Sequence, residues 1–132
     1  MNYLAILVAA VVDMIVGMLW YGPLFGKQWM AMMGFTPESM KSMKMTPKQA
    51  MLGGFVTALV FAYVLAMFAD VFGALGVSGA LSLAFWVWLG FVATMQAGSF
   101  LWEGKPFRLF VFNAVESFVA ILAMALVVVL WM

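Results

Sequence analysis

Asp13 and Glu116 are the residues of this sequence best placed to do chemistry, because each lies well inside a run of apolar side chains. No Lys or Arg stands close to either in the sequence, and the chain contains no histidine at all. A carboxylate near the centre of a membrane helix costs on the order of 2.5–3.5 kcal/mol on insertion scales, so each acid is expected to face other helices and find partners there. With no cation at hand, two arrangements are open: at least one acid keeps its proton at neutral pH, or the pair holds a cation. A proton-coupled site is built in this way. So is a packing device in which a protonated acid donates to a nearby amide.

Other chemistry finds less support. The absence of cysteine and histidine removes disulfides, thiolate nucleophiles, imidazole bases and the usual zinc and haem ligands. There is no Gly-rich phosphate loop and no His-based triad, so no catalytic residue, cofactor or enzymatic activity is expected. Methionine is abundant, with 14 in the chain, and Met40, Met43 and Met45 form a thioether cluster of the kind that selects Cu(I). Met as an adaptable interfacial or partner-contact residue is the commoner use, and no metal is expected.

Lipid is the solvent these residues imply. Hydrophobic residues fill 68% of the 132 positions and charged residues 8%, against about 45–50% and about 25% in soluble domains. So short a soluble chain must expose most of its residues, and this one has too few polar side chains to cover that surface. The net charge of +1 offers nothing to nucleic acid.

A spanning helix needs about 20 largely apolar residues. Four stretches qualify, at about 3–24, 49–71, 79–102 and 107–131. The fold expected is therefore all-α: one membrane domain over 1–132, a bundle of four transmembrane helices. Short connections (Gly73, Gly76 and Gly79 in one, Glu103 to Pro106 in the other) make successive helices antiparallel. Only the first loop, 25–48, is long enough for structure of its own. There Lys27 to Met33 reads as a short interfacial helix stopped at Gly34, and a short amphipathic helix is expected over 37–44. Thr46, Pro47 and Gln49 make a capping box that starts the second span. The first run has no basic residue before it, so it is expected to be a retained helix and not a cleaved signal.

Charge sets the direction. Lys27, Lys41, Lys44 and Lys48 lie in the first loop, Lys105 and Arg108 at the last, and none in the second loop or the tails. Loops 25–48 and 103–107 are thus expected in the cytoplasm, with both termini outside. Counting inward from Gly22, Ala50, Trp102 and Arg108 at about 1.5 Å per residue puts Asp13 about 13 Å deep and Glu116 about 12 Å. Thr57, Gln96 and Asn113 fall at about 10, 9 and 8 Å by the same rise, which completes one polar layer in the inner half of the bilayer.

Small residues at four-residue spacing mark expected helix contacts. They run through Gly54, Ala58, Ala62 and Ala66 on the second span and through Gly90, Thr94 and Gly98 on the third. Ala9, Asp13, Gly17 and Tyr21 share a face of the first span, and Asn113, Glu116, Ser117 and Ala120 share one of the fourth. Leu19-Trp20-Tyr21-Gly22-Pro23 and Leu101-Trp102-Glu103-Gly104-Lys105-Pro106 end the first and third spans alike. Either a duplicated hairpin or convergence on an interfacial helix end explains that match.

The segment Leu19 to Lys27 with Trp29, followed by Trp102-Glu103-Gly104, Arg108 and Asn113, resembles the bacterial domain-of-unknown-function 1761 family. The similarity in pattern and length covers essentially the whole chain. It implies a multi-pass protein of the bacterial cytoplasmic (inner) membrane with four helices, and implies no mechanism. Two functions remain open. One is a structural or accessory membrane protein that forms a homo-oligomer or serves a membrane-protein partner; the other is a small proton- or cation-coupled transporter or channel using Asp13 and Glu116. A water-accessible cavity reaching Asp13 would favour the second. For the orientation, a reporter active only outside the cytoplasm is expected to work when fused after Met132 and to fail when inserted near Ser39; the reverse pattern would overturn the charge argument.

Overall fold

The computed structural model describes residues 2–36, 38, 39 and 46–131. Met40, Met43, Met45 and most of the short helix expected over 37–44 lie outside the described residues. The described residues form helices and short connections, with no strand among them, and four helices are long and apolar enough to cross a membrane: α1 (Tyr3–Leu24), α3 (Pro47–Val71), α4 (Gly76–Leu101) and α5 (Phe107–Leu130). Between the first two lies the short α2 (Gly26–Met33). The spans agree with those expected, α4 beginning three residues earlier than expected at Gly76.

Local chemistry accounts for the helix ends. Asn2 caps α1 by accepting the Ala5 N–H at 3.1 Å, and its amide donates to the Trp131 carbonyl at 3.1 Å, so the two ends of the bundle's long axis helices are tied at one rim. At the other end of α1, Pro23 has no N–H to donate and its ring crowds the preceding turn. The helix responds with a π-helical turn over Trp20–Leu24 and a break at Gly22, whose φ of −112° and ψ of −108° are not helical. The chain then doubles back so tightly that a Cβ on Gly26 would lie 2.8 Å from the Tyr21 carbonyl oxygen, which leaves glycine as the residue that fits. α2 stops where expected, at Gly34 in the left-handed region with φ 73°. The capping box of α3 forms in both directions: Gln49 N–H to the Thr46 hydroxyl at 3.2 Å, and Thr46 N–H to Gln49 Oε1 at 3.1 Å.

α5 is the most buried of the four spans. α1 and α4 pack on different sides of it, α3 packs on α1 and α5, and α2 touches its beginning. Small side chains permit these approaches, since apolar surfaces gain little by leaving lipid for one another. Ala58, Ala62 and Ala66 of α3 are buried, as are Ala9 of α1, Ala80 and Ala84 of α4, and Ala120 and Ala125 of α5. The larger core residues Leu65, Met124 and Val128 lie with them, toward the rim that carries Asn2 and Trp131. By contrast α3 and α4 barely touch, and the third-span stripe does not behave as expected. A Cβ on Gly90 or Gly98 would meet nothing within 4 Å, and the Thr94 hydroxyl donates to the Gly90 carbonyl of its own helix at 2.8 Å. That stripe faces away from the bundle because α4 is held to α5 by its opposite side.

A second π-helical turn, Trp88–Ala93, interrupts α4. It was not legible beforehand. The similar endings of the first and third spans also diverge: one is the break at Gly22, the other a left-handed Gly104 with φ 70°.

The packing of α3 is open to test. Leu at Ala62, where no part of the side chain is exposed, is expected to force α3 off α1 and α5 and to cost about 1–3 kcal/mol, read as a lower unfolding midpoint in detergent. Leu at Val60, which is 60% exposed, should be nearly silent. Equal tolerance at the two positions would mean that this face is not a helix contact.

Candidate functional site

The polar layer divides in two. One part is engaged in links between helices. The Tyr21 hydroxyl donates to Asn113 Oδ1 at 2.7 Å and joins α1 to α5. Gln96 Nε2 donates to the Ser117 hydroxyl at 2.8 Å and joins α4 to α5, while Ser117 itself donates to the Asn113 carbonyl at 3.0 Å. The Trp88 indole N–H reaches the Ala114 carbonyl at 2.8 Å, a further tie from α4 to α5. Gln96 Oε1 is buried without a partner among the described residues.

The other part is free of such links. Asp13 and Glu116 are half-buried, and neither makes a hydrogen bond among the described residues. The Glu116 side chain lies over Gly17 of α1, one turn from Asp13: a Cβ there would come 3.9 Å from Glu116 Oε1. Both acids line a cavity of about 230 Å³ together with Thr57, Phe61, Val92 and Ser117. Thr57 contributes little beyond its place, because its hydroxyl donates to the Gly54 carbonyl of its own helix at 2.8 Å.

Of the five residues expected at one site, the cavity therefore collects Asp13, Glu116 and Thr57, and Asn113 and Gln96 stand beside it in structural bonds. Tyr21 was expected on the contact face of the first span and not as a member of the polar site. Its position on the face shared by Asp13 and Gly17 was the signal that it turns inward. Ile121 and Met124 line the cavity and also belong to the tight core, so they close it toward the Asn2–Trp131 rim. Tyr21 and Asn113 lie on the opposite side, toward loop 25–48.

A larger void of about 730 Å³ opens between α3 and α4, lined by Phe68, Leu75, Trp86 and Phe91 among others. No ionisable side chain lines it among the described residues, and it follows from the loose α3–α4 approach. The chemistry lies in the smaller cavity.

Four apolar spans around half-buried carboxylates define a multi-pass membrane protein with an open acidic cavity. Residues 4–129 match the family model described as "Protein of unknown function (DUF1761)", and the chain belongs to that family. No curated protein and no solved structure matches the chain.

The division of the polar layer has a measurable consequence. Tyr21→Phe removes one interhelical bond and is expected to cost about 0.6 kcal/mol, at most about 1.7 kcal/mol, in detergent unfolding. Asp13→Asn breaks no hydrogen bond among the described residues and should leave stability unchanged or raise it, since a neutral amide is cheaper to bury than a charge. A large loss of stability in Asp13→Asn would show that the acid is a structural partner.

Proposed function

We propose that this protein is a small carrier or channel that binds a proton or a small cation between Asp13 and Glu116. The observation that carries the reading is that both carboxylates face a cavity while the amides able to pair with them are engaged elsewhere. Buried polar groups that serve packing are as a rule hydrogen-bonded. Here Asn113 Oδ1 and Gln96 Nε2 are bonded, although Gln96 Oε1 is left without a partner, and the half-buried acids make no bond among the described residues. Volume narrows the ligand. A cavity of about 230 Å³ is below the roughly 300–1,000 Å³ of sites for drug-sized molecules, and a water takes about 30 Å³ of liquid. The space suits a proton relayed through a few waters, or an inorganic cation that keeps part of its hydration shell.

The tight core at Ile121 and Met124 supports access from the side of loop 25–48, past Tyr21 and Asn113. The loop charges support a cytoplasmic position for that side, in the inner membrane of a bacterium, with both termini outside. We assign the protein no catalytic step. Self-association is a second reading, compatible with the first: Gly90, Thr94 and Gly98 offer a small-residue face that no helix among the described residues covers.

Reconstituted vesicles test the carrier reading. With a pH gradient or a gradient of Na⁺, K⁺ or Mg²⁺ imposed, the wild type is expected to pass protons or one of these ions. Asp13→Asn and Glu116→Gln should fold normally and lose at least about tenfold of the flux, the scale of one lost charge interaction. Absence of any flux in the wild type, together with no cation-dependent change in its thermal stability, would refute the reading. So would full flux in the double amide.

A further inference from the structure

Loop 25–48 begins by folding α2 against the start of α5, and the two leave a groove of about 530 Å³ between them. Its chemistry is one-sided. Arg108 and Gln28 supply the polar side chains, and no carboxylate lines it among the described residues. Arg108 is exposed and has no carboxylate partner among the described residues. The Trp20 ring is part of the wall, packed 4.7 Å from Phe25 and 5.5 Å from Phe112 between centroids. A guanidinium and a carboxamide with no acid beside them suit an oxygen-rich anion. The remaining walls are apolar, with Phe25, Met32 and Phe112 among them. A free inorganic anion has no use for such walls.

The groove stands at the ends of two spans. Arg108 is the second residue of α5, and α2 follows directly on the kink that ends α1. We propose that this groove is a binding site for an anionic phospholipid, with the phosphate at Arg108 and Gln28 and an acyl chain along the apolar walls. Basic pockets beside membrane helices are built to hold acidic headgroups in this way. The site is separate from the acidic cavity and does not depend on what that cavity carries.

Native mass spectrometry of the full chain, released from micelles doped with phosphatidylglycerol or with phosphatidylcholine of the same acyl chains, tests the assignment. The wild type is expected to retain one phosphatidylglycerol per chain with about tenfold preference, the scale of one charge-assisted hydrogen bond. R108Q should abolish most of that preference. Q28L removes the carboxamide and should lower the preference about threefold, the scale of one hydrogen bond, which keeps the test open if R108Q folds poorly. K105Q removes a neighbouring charge outside the groove and should change nothing. Equal retention of the two lipids by the wild type would overturn the proposal. It would also fall if K105Q lost as much as R108Q, if Q28L kept the full preference, or if inorganic phosphate displaced the lipid.

Discussion

In a bilayer, apolar side chains gain little by exchanging lipid for one another, and every feature of this bundle follows from that limit. Helices stay together only where backbones come close or where a polar group crosses between them. α5 meets both needs. Its alanines let α1 and α4 approach from different sides, and its Asn113, Ala114 and Ser117 receive the bonds from Tyr21, Trp88 and Gln96. α3 is seated by its own alanines on α1 and α5. Where neither device is present, between α3 and α4, the bundle gapes.

The same limit gives the acids their meaning. A chain that needed polar glue at this depth already has it in two neutral pairs, which cost far less to bury than a carboxylate. Asp13 and Glu116 add expense without closing a bond among the described residues. Their cavity is bounded at one end by Ile121 and Met124, which belong to the core, and the bond from Tyr21 to Asn113 stands beyond its lining on the side of loop 25–48.

Much of this was legible in the residues. The spans follow from apolar length, the start of α3 from Thr46, Pro47 and Gln49, and the stop of α2 from Gly34, because these signals act within a few residues of chain. The face of α3 was legible too, since alanine at every fourth place has few uses besides close packing. The polar layer was legible by depth and not by direction. Asn113 and Gln96 sit at the same level as the acids, and depth alone cannot say that one turns to Tyr21 and the other to Ser117. The stripe at Gly90, Thr94 and Gly98 misled for a related reason: a small-residue face shows that a helix can be approached, not that anything in the same chain approaches it. Neither π-helical turn could be placed, although Pro23 hinted at the first.

The π-helical turn in α4 settles the phase of that helix. Trp88 and Gln96 stand eight residues apart, which on an unbroken helix of about 100° per residue would leave them about 80° out of line. A π-bulge takes up one extra residue. The pair then behaves as if about seven residues apart, within about 20° of each other, and both reach α5. α4 is thus one residue longer than its contacts require, and the surplus is stored between its two anchor points. A helix that keeps such slack can be shortened or rewound there while both anchors hold, so it is the span whose length and twist are least bound to each other.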